Sequence, residues 1–394
     1  MMDQAPAARE RLPAGVSLLV VATVSHTIRH FLLPYAAHFR ALGWRVDAAA
    51  SGAIDDGALR EAFDHIHELP LSRSILDLGG LVRGERVVSE VLASGPDLVH
   101  VHTPIASFVT RLAVRRMSAD RRPRIAYTAH GFHFYRGGPP VANLAFLAAE
   151  KVAGRWTDRL IVINEEDYAA AQRHRLVAPN RLVRMPGIGV DTDTYSRSRV
   201  DPQRVAQARE DLGIEPAAPL FLSVAELSRR KRGGDIIEAL ALTRHREAAL
   251  VFAGDGHERE RLESLVNRRG LRDRVRFAGN VDDVRPLVGS ATALVLASDR
   301  EGLARSIMEA LALEVPVIAS TARGNLELVD SDSGFIFPVG DIQKLAERMD
   351  WLLDHPVEGL QMGRHGRLRM VEKYEMRKLI LLHEDLYRGM LAER

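Results

Sequence analysis

Two short apolar runs, ATALVLAS (291–298) and VPVIAS (315–320), stand on either side of a stretch with helical spacing, 304–313. Neither run alternates apolar with polar residues, which is the pattern of a strand buried on both faces of a parallel sheet. Between the runs lie a polar loop, Asp299-Arg300-Glu301-Gly302, and a helix that offers Ile307, Leu311 and Leu313 for packing. Strand, helix and strand in that order make a βαβ crossover. In an open sheet built this way, ligands sit outside the carboxyl ends of the strands, where Glu301 is expected. Glu301 and Glu309 are eight residues apart, one in the loop and one about a turn and a half into the helix. The helix start behind Gly302 and Leu303 offers N–H groups to an anion. The pair therefore suits a ligand with hydroxyls beside phosphates, although a turn glutamate followed by an ordinary helix glutamate has the same spacing.

The alternation is not local to this unit. VSLLVVATV (16–24), RVDAAAS, HIHELPL, DLVHVHT, RIAYTAHG and RLIVINE read as strands, with helical stretches at 26–42, 76–92 and 105–117. Over about 170 residues this argues a doubly wound parallel sheet. The chain has 394 residues, enough for two such cores. Its 46% hydrophobic and 27% charged residues fit a water-soluble fold. With no cysteine, disulfides, thiol nucleophiles and thiolate metal sites are excluded, in keeping with a reducing cytosol. MMDQAPAARERLPAG at the start is polar and contains acids, unlike a signal peptide, and no apolar run approaches the ~20 residues of a membrane span.

EGLARSIMEA resembles the Glu–seven residues–Glu signature of the retaining glycosyltransferases of family 4, which have the GT-B fold. The resemblance covers nearly the whole chain and implies that Glu301 meets the donor's sugar and Glu309 its ribose. It implies two Rossmann-like α/β domains facing a central cleft, drawn here as an acceptor domain (1–187) and a nucleotide-sugar donor domain (188–374). The last helix (about 375–394) crosses back to the first domain. MPGIGVDTDTYS (185–196) resembles the family's linker, with Ile188 where many members have asparagine. Asp191-Thr192-Asp193 imitates a metal-binding Asp-x-Asp but reads here as turn chemistry.

In PLFLSVAELSRRKRGGD (219–235), Arg229, Arg230, Lys231 and Arg232 cluster just past a strand, where a pyrophosphate needs countercharge. Phosphate binding is assigned to Lys231 and Arg229, with Gly302 and Leu303. The family's Gly-Arg at that strand end is replaced by Ala225-Glu226. In ALVFAGDGHERERL, Gly254 lets backbone approach a ligand. RVRFAGNVDDV resembles the base-binding strand and turn, with Gly279, Asn280 and Val281 offering backbone groups to the base.

TAHGFHFYRGGPP (128–140) follows a strand, and its "AHGFHFY" resembles a bacterial polysaccharide-assembly branch of the family. The match carries to His130 the family's histidine near the reacting sugar, and puts His133, Phe134 and Tyr135 on the acceptor side. A structural histidine bonded to backbone is the duller reading of His130. Metal binding by His130 and His133 lacks a third ligand nearby. His100 and His102 in LVHVHTP are read as facing opposite sides of their strand, one of them in the core. Arg111, Arg115, Arg116, Arg121, Arg122 and Arg124 crowd a stretch with one acid. They read either as a solvated helix end or as a surface for anionic lipid. No stacking aromatics are interleaved, so nucleic acid is not expected.

The resemblance implies a retaining, metal-independent glycosyltransferase without a cofactor beyond its nucleotide-sugar co-substrate. It would move a hexose or N-acetylhexosamine, from UDP, to a lipid-linked saccharide in cell-surface polysaccharide assembly. Its expected place is the cytoplasm, peripheral on the inner face of the membrane. A UDP-sugar epimerase of the same fold and a non-catalytic nucleotide-sugar-binding protein are the rival readings.

Overall fold

The computed structural model describes residues 15–72, 77–135 and 137–393. The chain divides into two compact units, one running to Ile188 and taken up again from Ile380, the other spanning Gly189–Leu379.

In the first unit, β1 (Ser17–Val24) is buried along nearly its whole length, as the apolar run Leu18–Ala22 requires. The helical stretch after it is two helices, α1 (Ser25–Phe31) and α2 (Leu33–Ala41), rather than one. Pro34 in the first turn of α2 has no N–H to continue the ladder across Leu32. The chain continues through β2 (Arg45–Ser51), α3 (Gly57–Ala62), β3 (Ile66–Glu68), α4 (Leu78–Leu92), β4 (Leu98–His102) and α5 (Pro104–Arg115). Then come β5 (Arg124–Ala129), α6 (Pro140–Ala153), β6 (Arg159–Val162), α7 (Glu165–His174) and β7 (Leu182–Arg184). Residue 76, the expected start of α4, lies outside the described residues. The seven strands are parallel in the order β3-β2-β1-β4-β5-β6-β7, so the order reverses between β1 and β4.

The second unit has α8 (Pro202–Asp211), β8 (Leu220–Val224), α9 (Gly233–Leu242), β9 (Ala249–Ala253), α10 (Arg259–Arg268), β10 (Val275–Gly279) and α11 (Arg285–Gly289). It continues with β11 (Ala293–Leu296), α12 (Arg305–Ala312), β12 (Val317–Ser320), α13 (Asn325–Leu328), β13 (Gly334–Phe337), α14 (Ile342–Asp354) and α15 (Pro356–Lys373). Its six strands are parallel in the order β10-β9-β8-β11-β12-β13, reversing between β8 and β11. α16 (Met376–Ala392) begins in this unit and ends in the first. There Tyr387, almost fully buried, packs on Phe39 and Trp44 with ring centroids 5.1 and 6.2 Å away.

Two sequence expectations are corrected here. Arg111 does not belong to a lipid-facing cluster: it is 1% exposed, and its guanidinium lies 4.3 Å from the centre of the Tyr127 ring. It donates to Glu150 at 2.9 Å, and Tyr127 donates to the other oxygen of the same carboxylate at 2.9 Å. An arginine taken out of water needs such a partner, and α6 supplies it. Arg124 is also drawn in, half-buried at the start of β5 and paired with Asp158. The other four remain exposed. Second, His100 and His102 face the same side of β4, with ring centroids 4.1 Å apart. Strand side chains repeat every two residues, so residues two apart share a face.

Candidate active site

In the second unit the order of strands reverses between β8 and β11, and the loops leaving those two strands meet. The Asp299 N–H donates to the Arg230 carbonyl at 3.0 Å, and the Arg230 guanidinium to the Arg300 carbonyl at 3.3 Å. Lys231 completes the junction, donating from Nζ to Glu301 Oε1 at 2.5 Å. Glu301 is buried and Lys231 half-buried. Arg229 turns away from this pair. It is exposed and bonded to Glu258 at 3.2 Å.

Glycines weld these loops together through their backbones. A Cβ on Gly324, after β12, would lie 1.6 Å from the Gly302 carbonyl oxygen. One on Gly254 would lie 2.1 Å from the Ala225 oxygen, and Gly254 also has a φ of 141° that other residues rarely adopt. The Gly254 N–H donates to the Gly279 carbonyl at 2.7 Å. Contact with the neighbouring loop thus accounts for the glycine at 254, where the sequence suggested approach of a ligand. Gly279 has a φ of 67°, and after it Asn280 is exposed and Val281 half-buried. Gly302 and Leu303 are half-buried, at the mouth of α12. Arg323, which sequence reasoning missed, donates to the Glu301 carbonyl at 3.2 Å.

Glu309 is buried and accepts from Arg305 Nε at 2.6 Å. The Tyr195 hydroxyl is hydrogen-bonded to the same pair, and its pKa is raised by burial first and by Glu309 second. Arg305 is four residues before Glu309 on one helix face, a spacing visible in the sequence. Tyr195 arrives from a distant loop with no local signal.

In the first unit, the strand-order reversal sits beside Thr103, which has a φ of 66° just after β4. The Thr23 N–H donates to Thr103 Oγ1 at 3.0 Å and holds this unusual backbone in place. Next to it is a group of histidines. His130 Nε2 and His102 Nδ1 are 3.0 Å apart, and their rings stack at 5.2 Å. His100 bonds the Thr128 hydroxyl at 2.8 Å and the Tyr387 hydroxyl at 2.5 Å. Burial, with His383 adding to it, pushes the His130 imidazole down to about 4. Burial and the neighbouring histidines hold His100 and His102 well below their ordinary value. At neutral pH these rings are therefore uncharged, and one N–H joins His102 to His130. From the sequence alone His102 takes no role and nothing marks His383, on α16, because a buried histidine carries no local signal that separates it from core.

Phe134 is corrected. Its ring is buried against Phe132 at 4.8 Å and belongs to the core, so it has no open face for an acceptor. His133 is exposed and Tyr135 half-buried. Asn143 of α6 latches this loop, accepting from the Tyr135 N–H at 3.2 Å and donating to the Tyr135 carbonyl at 2.8 Å. Among the described residues no group of three or more His, Asp or Glu side chains is arranged to hold a metal ion.

Residues 31–194 match the family model "Glycosyltransferase Family 4", and residues 205–369 match "Glycosyl transferases group 1". The putative glycosyltransferase EpsD of Bacillus subtilis (strain 168) is 34% identical over 354 residues, 89% of this chain and 91% of its own length. The chain belongs to glycosyltransferase family 4. This family 4 enzyme is also 24% identical, over 76% of each chain, to the UDP-Gal:alpha-D-GlcNAc-diphosphoundecaprenol alpha-1,3-galactosyltransferase of Escherichia coli. Anabaena Alr3699/HepE, solved in complex with UDP and glucose, matches it with a TM-score of 0.79 at 20% identity, over 95% of this chain and 100% of that one. That likeness shows a shared GT-B fold.

Proposed function

We propose that this glycosyltransferase moves a hexose or N-acetylhexosamine from a UDP-linked donor to a lipid-linked saccharide in cell-surface polysaccharide assembly, with retention and without a metal. The observation that carries the reading is the Lys231–Glu301 pair at the point where the strand order reverses. Departure of a nucleoside diphosphate leaves negative charge on the β-phosphate, and a fixed cation at that position lowers the barrier. Lys231 supplies the cation, and the N–H groups of Gly302 and Leu303 at the start of α12 add to it. Glu301, released from Lys231 by the phosphate, accepts from hydroxyls of the sugar. Glu309 accepts from the ribose, and Gly279, Asn280 and Val281 border the base. A neutral His130 offers a hydrogen bond to a sugar hydroxyl rather than a charge.

A relative whose name carries a diphosphoundecaprenol acceptor supports the lipid-linked half of the proposal. No helix among the described residues is long and apolar enough to cross a membrane. Contact with the inner face of the membrane is therefore assigned to a surface, which includes the exposed Arg115, Arg116, Arg121 and Arg122. The deciding experiment measures UDP release over a panel of UDP-sugars, with and without lipid-linked saccharides. Release that requires the acceptor is expected. Conversion of the sugar with no acceptor present would indicate an epimerase, and binding without turnover a sensor.

A further inference from the structure

α6 is apolar on both of its faces. Phe146 and Leu147 pack on the core, while Glu150 and Ala153 are buried. The opposite face should then be polar, as in α8, whose exposed positions include Gln203, Arg204 and Gln207. Instead it carries Val141, Leu144, Ala148 and Val152, spaced three to four residues apart in one stripe. Val141 is 83% exposed and Leu144 68%. Contiguous apolar surface of this kind is uncommon unless something covers it.

The charges around the stripe say what covers it. α6 holds two charged residues, and Glu150 is neutralised internally by Arg111. The exposed charge left on α6 is Lys151, and Arg155 follows it, also exposed. At the same end, Arg115 lies over the Trp156 ring, 5.5 Å from its centre. An apolar stripe with cations at its foot and no exposed acid on α6 itself matches an anionic bilayer, with side chains entering the acyl boundary and cations staying at the headgroups. The arginine set beside it holds one exposed acid, Asp120, and Arg116 is paired with Glu85. The stripe also begins just beyond the Tyr135 loop, which Asn143 ties to α6.

We propose that the outer face of α6 is the apolar half of a membrane-binding surface whose basic half is the arginine set around Arg115. The proposal rests on the reading that the acceptor is lipid-linked. The test is co-sedimentation of the whole chain with phosphatidylcholine vesicles containing phosphatidylglycerol, at low and at high salt. Val141→Ser with Leu144→Ser should lower partitioning at least tenfold at both salts. Changing Arg115, Arg116, Arg121 and Arg122 to Ser should weaken binding at low salt alone, since high salt already screens charge. Thermal unfolding and calorimetric UDP affinity of the Val141/Leu144 variant should match the parent chain. Vesicle binding unaffected by that variant, or absent in the parent, overturns the proposal. So does a parent dimer that the variant dissociates without any change on vesicles. Failure of the parent to bind UDP would count against the functional reading instead, because the vesicle measurement does not depend on it.

Discussion

Lys231 Nζ and Glu301 Oε1, 2.5 Å apart, tie the loop after β8 to the loop after β11. If the donor's phosphates compete with Glu301 for this cation, Lys231→Met should weaken UDP binding. Charge-assisted hydrogen bonds are worth about 1.5–3 kcal/mol, roughly ten- to a hundredfold in affinity. Titration calorimetry with UDP checks this, and unchanged affinity would mean that Lys231 serves only to hold Glu301.

The two glutamates should separate by what each touches. Glu309→Gln removes an acceptor for the ribose, which stays in the product, so it should weaken UDP and UDP-sugar alike. It also leaves Arg305 and Tyr195 without their shared carboxylate. Glu301→Gln should spare UDP and lower kcat and kcat/KM together, as loss of an interaction made only in the transition state does. UDP affinities and transfer kinetics of both variants decide the matter, and equal losses of UDP affinity would refute the division.

His130→Ala is expected to cut turnover about a hundredfold, a barrier increase of about 3 kcal/mol. Nucleotide binding should persist. The folded imidazole titrates near 4, below its ordinary value, because burial disfavours the charged form. The sign follows: the unfolded chain binds the proton first, so the ring's stabilising effect is complete above about pH 6.5 and is lost as pH falls towards 4. His130→Gln should therefore lose less thermal stability than the parent between pH 7 and pH 4. Parallel melting curves for the two would exclude His130 from the acid response.

Gly324→Ala tests the backbone weld. Its Cβ would meet the Gly302 oxygen at 1.6 Å, so one of the two loops has to move. Overpacking of this kind costs about 1–3 kcal/mol, and the displacement carries Glu301 with it. A lower melting temperature together with reduced turnover is the expected pair of results. A variant that melts and turns over like the parent would show that the loops separate freely.

Much of this was legible in the chain itself. Apolar runs without polar alternation, such as LLVVA within VSLLVVATV, mark strands buried on both faces, and the turns between them put Glu301 and Lys231 at strand ends. Less legible was anything decided by partners far away in sequence. Arg111 reads as one arginine in a basic stretch, and only Glu150, 39 residues later, turns it into a core residue. The partnership of Tyr195 with Glu309 likewise depends on a loop path that no local pattern encodes. Gly254 was visible as a glycine, but the Ala225 carbonyl that requires it comes from the preceding strand's loop.

The return of α16 bears on the order in which the polypeptide is made. Tyr387 and Met390 fill the first unit, yet the ribosome reaches them only after all of Gly189–Leu379. Phe39 and Trp44 must wait with an unfilled face while some 190 residues emerge and fold, at roughly 5–20 residues per second. The first unit, although translated first, is thus the one whose core is completed last.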